Sequence, residues 1–246
     1  MEHILSLSYG KDSLACLGAI EQLGWRLDRI VHAEVWATDT IPADLPPMVE
    51  FKARADEIIK ARWEIEIEHI RAEVTYEQEF YRLFAGGKRQ GTIYGWPYLR
   101  GPWCNSRLKG AALDKIDGNC VKYWGIAADE LERIAKHKDK PNVKMPLVEA
   151  GWTEADCREW CEDNGLLSPI YHTAARGGCW FCHNQRISEL RRLRSEYPEL
   201  WAKMLVLDKA SLVRFKPDKT LADFDRRFAE EERQLSFNFD LEERKE

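Results

Sequence analysis

The chain has no run of apolar residues approaching the roughly 18 that a helix needs to cross a bilayer. Its N-terminus has no charged stretch leading into a long apolar segment. Both absences argue against a membrane span or a secretory leader, so the expectation is a cytoplasmic protein with no membrane partner. An excess of basic charge is also missing. Lys and Arg number 37 against 42 Asp and Glu, a formal net charge of −5, which removes a global field for nucleic acid and leaves only local patches. The seven cysteines are an odd count, and without a leader they read as thiols, metal ligands or core residues rather than as a disulfide framework. The Walker A spacing Gly-x-x-x-x-Gly-Lys-Ser/Thr is absent as well.

What is present is enough chain, 246 residues, to bury a sizeable core. Three β-like runs, Ile4 to Ser8, Ile30 to Trp36 and Glu64 to Ile70, alternate with helix-like segments at Ser13 to Leu23 and Pro47 to Lys60. A fourth run, Cys120 to Ile126, follows a helical stretch from Arg107 to Ile116. This rhythm predicts an α/β fold with a parallel sheet covered by helices, and a ligand at the carboxyl ends of the strands. Thr153 to Asp156 has the form of a capping box, and Cys157, Trp160 and Cys161 follow on helical spacing, as core residues do. Two further helices are expected around Glu189 to Leu193 and Pro198 to Leu207. The expected division is a domain over residues 1–210 and a charged tail over 211–246 that leaves it. Between Phe80 and Trp103, glycines, aromatics and basic residues show neither period, the pattern of a functional loop or of an excursion whose aromatics simply pack.

The densest chemistry lies at Ser6-Leu7-Ser8-Tyr9-Gly10-Lys11-Asp12-Ser13. A strand that stops at a glycine turn and feeds a helix aims unpaired N–H groups and the positive end of the helix dipole at one point. Gly10 permits close backbone approach, Lys11 adds a charge, and the Ser8 and Ser13 hydroxyls can donate. Asp12 can cap the helix or touch a phosphate-bound magnesium ion. The alternative is an ordinary serine-rich turn.

A second constellation is Arg176-Gly177-Gly178-Cys179-Trp180-Phe181-Cys182-His183, where two thiolates can face one metal. Cys104, in Trp103-Cys104-Asn105-Ser106-Arg107-Leu108-Lys109, is the candidate third ligand, since a loop-to-helix start with nearby cations stabilises a thiolate. Cys120 and His183 are the candidates for a fourth ligand. Structural zinc on Cys104, Cys179, Cys182 and His183 is the alternative.

The Ser-x-Gly-Lys-Asp-Ser pattern resembles the PP-loop of ATP pyrophosphatases and adenine nucleotide alpha hydrolases, and Tyr9 makes it more like the phosphoadenosine phosphosulfate (PAPS) reductase branch. Thr38-Asp39-Thr40, Trp124 to Arg133, Met145-Pro146-Leu147, Gly151-Trp152-Thr153 and Ser168-Pro169-Ile170-Tyr171 resemble that branch's other landmarks in the same order, over about residues 1 to 205. Two departures matter. Ala127 stands where the family has an arginine and Leu131 where it has a serine, and Arg133 falls one place early. Only Cys104 matches the paired cysteines of cluster-bearing adenylylsulfate reductases.

The resemblance implies a Rossmann-like adenine nucleotide alpha hydrolase (HUP) fold with a helical C-terminal part. It implies nucleotide contacts from Ser6, Ser8, Tyr9, Gly10, Lys11, Asp12, Ser13, Asp39 and Gly125, with Lys11 and Asp12 catalytic. The implied cofactors are ATP with Mg2+ and a four-iron four-sulfur cluster on Cys104, Cys179 and Cys182. Three thiolates leave one iron open to sulfide, the arrangement of tRNA-thiolating relatives, so the partners include a sulfur donor protein and a nucleic-acid acceptor. No cysteine follows Cys182, which removes the late nucleophile of assimilatory PAPS reductases. The implied reaction is ATP pyrophosphatase or adenylylating sulfurtransferase chemistry. The alternatives are PAPS or adenylylsulfate reduction, and a non-catalytic nucleotide-binding subunit with zinc.

Two features stand outside that frame. Arg186, Arg191, Arg192 and Arg194 can lead a nucleic-acid backbone toward the site or form a solvated helix face. Gln234-Leu235-Ser236-Phe237-Asn238-Phe239 is similar to the peptide by which bacterial DNA enzymes dock on the sliding clamp. Its alternative is an alternating strand folded back onto the domain.

Overall fold

The structure is a computed structural model that describes residues 1–98, 101–116, 119–172 and 178–243. The chain groups into two compact units, one from Met1–Thr75 and Asn105–Cys179, the other from Tyr76–Cys104 and Trp180–Glu246.

The first unit is an α/β layer built on a five-stranded, all-parallel sheet. Its elements are β1 (Glu2–Leu7), α1 (Lys11–Leu23), β2 (Arg29–Glu34), α2 (Pro46–Trp63) and β3 (Ile67–Arg71). After the second unit's α3 (Tyr76–Tyr81) come a π-helical turn (Asn105–Gly110), α4 (Ala111–Leu113), β4 (Cys120–Tyr123), α5 (Leu131–His137), β5 (Val143–Lys144), α6 (Pro146–Ala150) and α7 (Glu154–Asp163). The strand order is β3-β2-β1-β4-β5, so the chain leaves β1 toward one edge and returns beside it toward the other. In open α/β sheets such a reversal is where ligands bind, outside the carboxyl ends of the strands, here those of β1 and β4.

Alternation along the strands covers both faces. Leu5, Leu7, Ile30, Val121 and Tyr123 enter the main core with Leu14, Leu17, Phe51 and Ile59. Their neighbours Ile4, Val31 and Cys120 form a smaller cluster on the opposite face with Ile70 and Ile116. Helix α1 packs against α6 and α7.

Element boundaries differ from the sequence pattern where single residues override it. Two prolines, Pro46 and Pro47, pre-set the first turn of α2, and Glu64 in the left-handed region (φ 57°) ends it. Residues 64–66 are therefore a cap and link, and β3 starts at Ile67. The helix expected over Arg107 to Ile116 is split into a wider π turn and a single α turn.

The second unit contains α3 with α8 (Ile187–Glu196), α9 (Pro198–Ala210) and α10 (Leu221–Glu243). The charged segment after residue 210 is helical from Leu221, with Leu221, Phe224 and Phe228 buried. Thr220 and Asp223 cap it reciprocally, and Asp208 accepts from the Leu221 and Ala222 N–H groups. Residues 234–239 are part of this helix rather than a strand, and the side chains from Leu235 onward lie outside the description. Around Phe80 to Trp103 the aromatics pack within their own unit. Trp96 is fully buried, its indole N–H donates to Asp208, and its backbone N–H donates to Ser211.

Candidate functional site

Strand β1 ends at Leu7, and the chain turns into α1 through Ser8, Tyr9 and Gly10. Gly10 is the N-cap with no side-chain cap, so this helix start carries no carboxylate or hydroxyl of its own cap residue. Ser13 fixes the turn from inside. Its Oγ accepts from the Ser8 N–H at 3.1 Å, donates to Gly10 O at 2.9 Å and lies 3.0 Å from Ser8 Oγ. The Lys11 N–H donates to Tyr171 Oη at 3.0 Å, which brings the Ser168 to Tyr171 landmark onto the loop. Gly125 lies on the same turn, where a Cβ would meet Ser13 N and Cα at 2.8 Å and Asp12 C at 2.9 Å. Ser6 is within β1, directly opposite Val31 of β2.

Lys11 Nζ bridges two carboxylates, Asp12 at 2.6 Å and Glu154 at 2.9 Å. Burial alone would lower the lysine, but its hydrogen bonds to Asp12 and Glu154 outweigh that and raise its pKa. Burial also raises Asp12, opposed by Lys11 and reinforced by Glu154 and Glu130. The ammonium is held charged, because both of its carboxylate partners are at hydrogen-bond distance. Glu154 begins α7, and the expected capping box is formed, with Thr153 and Asp156 bonded reciprocally.

Tyr9, expected from the loop pattern as a nucleotide contact, also organises the neighbouring chemistry. It sits at φ 55°, a conformation that costs a bulky residue about 1–2 kcal/mol. Its ring is buried edge-on to His32 at 4.7 Å. Its hydroxyl donates to Asp56 of α2 and lies 3.3 Å from His69 Nε2. His69 in turn is clamped by Asp56 Oδ2 and Glu34 Oε1, both at 2.9 Å, and these bonds raise its pKa to about 9. Glu34, also bonded to Trp36 Nε1, is lowered to about 2, chiefly by His69. His32 is driven down to about 3 by burial and by Lys52; its Nδ1 donates to Leu7 O, and its Nε2 accepts from Lys52. Asp39 stands on a turn held by Thr38 Oγ1, and with Glu34, Trp36 and Arg71 it lines a cavity of 310 Å³ at the ends of β2 and β3. Glu34, Asp56 and His69 escaped the sequence reading, because only the parallel register of β2 and β3 and the packing of α2 bring them together.

The cysteines divide by environment. Cys16, Cys157 and Cys161 are fully buried in the first unit, where desolvation raises all three thiols, Cys157 and Cys161 to about 12. This is core behaviour, as the helical spacing predicted. Cys120 is also buried, packed with Ile4 and Val31, in the surroundings of a core residue. Cys104 and Cys182 are half-buried and belong to the second unit; half-buried Cys179 ends the first. His183 is buried, and its carbonyl and that of Gln185 accept from Lys216 Nζ at 2.5 and 2.7 Å. Arg176 and Gly177 of the Cys-x-x-Cys segment lie outside the described residues. Among the described residues no three His, Cys, Asp or Glu side chains form a ready-made metal cage. In the basic helix α8, Arg191 pairs with Glu231, Arg192 with Glu196, and Arg194 with Asp225 and Glu232.

No family model, curated protein or solved structure matches this chain. No helix among the described residues is long and apolar enough to cross a membrane.

Proposed function

We propose that the chain is an ATP-binding PP-loop enzyme of the PAPS reductase-like branch, with the adenine nucleotide alpha hydrolase fold, that cleaves ATP between its α and β phosphates to adenylylate a substrate oxygen. The observation that carries this reading is the close packing of Gly125 on Asp12 and Ser13. It joins the end of β4 to the start of α1, whose cap residue is a glycine, at the point where the strand order reverses, and a helix N-terminus at such a point is a general anion-binding position.

In this reading Ser8, Gly10 and Ser13 shape the cradle, and backbone N–H groups with the α1 dipole meet the phosphates. Lys11 exchanges its carboxylate partners for phosphate oxygens when Mg-ATP binds, and stabilises the charge that develops as the α–β bond breaks. Asp12 turns to the magnesium ion. Glu154 and Glu130 keep the surroundings acidic, which favours nucleotide entering as its magnesium complex.

Sulfur chemistry is assigned to Cys104, Cys179 and Cys182 on sequence spacing. Cys104, Cys179 and Cys182 are half-buried, unlike the enclosed Cys16 and Cys161. A four-iron four-sulfur cluster held there would supply an iron site for sulfur transfer, and zinc would supply structure only. The acceptor is proposed to be a nucleic acid, with sulfur arriving from a donor protein.

The test is product identity. Anaerobic protein is incubated with labelled Mg-ATP, sulfide and total cellular nucleic acid, and separately with PAPS. Pyrophosphate with AMP or an adenylylated product supports the proposal. Sulfite from PAPS, or ADP from ATP, contradicts it. Iron and zinc analysis of the same preparation decides the metal.

A further inference from the structure

We infer that Glu34 selects the sugar of the bound nucleotide, accepting hydrogen bonds from free ribose hydroxyls and rejecting a ribose that carries a phosphate. This rests on the nucleotide reading above and adds to it a residue that neither the motif pattern nor Asp39 supplies.

Glu34 is the last residue of β2, whose His32 pairs with Leu7, so it stands beside the loop that follows β1. In doubly wound sheets a carboxylate at the end of the second strand is placed to meet the sugar of a nucleotide whose phosphates lie on the first helix. An arginine there accommodates a sugar phosphate instead. The cavity at this position is lined by Glu34, Trp36, Asp39 and Arg71.

The Glu34 carboxylate is unusually well held. His69 Nδ1 fixes Oε1 at 2.9 Å and Trp36 Nε1 fixes Oε2 at 2.8 Å. Each oxygen keeps a second lone pair for a ligand donor. Its acidity is strong enough that it remains ionised throughout the neutral range. A fixed, ionised carboxylate can only accept, so a phosphate oxygen finds no hydrogen bond there, whereas a ribose hydroxyl does. The Arg71 guanidinium, also on the cavity wall, lies over the Trp36 ring, 5.4 Å from its centroid, and is the group through which a sugar phosphate would bind if Glu34 did not exclude it. Asp39 is a second carboxylate on the cavity wall, while Glu73 is paired with Lys115.

The chain Tyr9–Asp56–His69–Glu34 then links the phosphate loop to the sugar pocket through side chains at hydrogen-bond distance. A ligand that satisfies Glu34 leaves this chain intact, whereas one that displaces Glu34 strips His69 of one partner.

The experiment measures displacement of a fluorescent ATP analogue from the full chain by ATP, AMP, adenosine 2′,5′-bisphosphate and adenosine 3′,5′-bisphosphate. Wild type is expected to bind both bisphosphates at least about tenfold more weakly than AMP. Glu34→Gln is expected to bring the ratio within about threefold, since the amide loses the charge and gains a donor. Glu34→Asp, which keeps the charge, should retain the preference for AMP. Bisphosphates that bind wild type as tightly as AMP overturn the inference, as does an unchanged ratio in a folded Glu34→Gln protein. Failure of ATP itself to bind overturns the nucleotide reading and the inference together.

Discussion

Gly125 and Ser13, 112 positions apart in sequence, are in backbone contact, with no room between them for a methyl group: a Cβ on residue 125 would lie 2.8 Å from Ser13 N. All three of the atoms it would meet are backbone atoms of the first turn of α1, so a side chain cannot be accommodated by a rotamer change.

Gly125→Ala therefore shifts either the β4 exit or the start of α1. The expected cost is about 1–3 kcal/mol of stability, typical of overpacking. Nucleotide binding should fall more than stability does, because the displaced atoms are those of the cradle. Thermal melts and ATP titrations on the same protein check this. An alanine variant with unchanged ATP affinity would remove the main support for the site.

Lys11 and Glu154 give a prediction of opposite sign. Glu154 is half-exposed and holds Lys11 away from solvent at 2.9 Å. Glu154→Gln leaves the ammonium with Asp12 as its charged partner and removes a negative charge beside the cradle. ATP should then bind about two- to fivefold more tightly, an effect that shrinks as salt rises. Weaker binding in this variant would show that Glu154 assists the ligand rather than competing with it.

Gly18 probes the fold apart from the site. It lies in α1, where alanine is ordinarily favoured by about 1 kcal/mol. Here a Cβ would fall 2.4 Å from the Trp160 ring of α7. Gly18→Ala should lower stability by about 1–3 kcal/mol in denaturant melts. Ala at 18 with Trp160→Leu should recover part of the loss.

His69 sets a pH dependence. Its folded pKa, raised to about 9 by Asp56 and then Glu34, exceeds the ordinary value near 6.5. The stabilisation is fully present below about pH 6.5 and is lost as pH rises through about 9. The melting temperature should fall across that window. His69→Gln should flatten the fall. Glu34 acts at the other end: its pKa, lowered to about 2, gives stability above about pH 4.5 that is lost as pH falls toward 2. A melting profile in the variant that still declines between pH 6.5 and 9 as in wild type would count against the Asp56–His69–Glu34 clamp.

Much of the first unit is legible in the residues. The apolar runs at Ile4-Leu5 and Ile30-Val31 form strands, the Gly10-Lys11 turn opens a helix, and the Thr153-Asp156 pair caps one. These are local signals, set by neighbours within four positions. The sugar-pocket network is different in kind. Tyr9, Glu34, Asp56 and His69 come from a loop, a strand end, the middle of α2 and another strand, and only the parallel register aligns His32 with His69. The charge of the segment after residue 210 likewise hid a local signal, the Thr220-Asp223 box that starts α10. The spacing of Cys179 and Cys182 was legible, while the holding of the turn after Cys182 by Lys216 was not, because Lys216 is 34 positions away and bonds carbonyls rather than side chains.

The most direct test of the account is calorimetric titration of Mg-ATP into wild-type protein and into Lys11→Met. One site per chain is predicted in wild type. Lys11→Met should weaken binding by about ten- to a hundredfold in a protein that remains folded, with a melting temperature lowered by loss of the Asp12 and Glu154 pairs, since the phosphate-facing charge is removed. No ATP binding by wild type, or equal binding by the two proteins, would contradict the claim that Ser8 to Ser13 is a phosphate cradle.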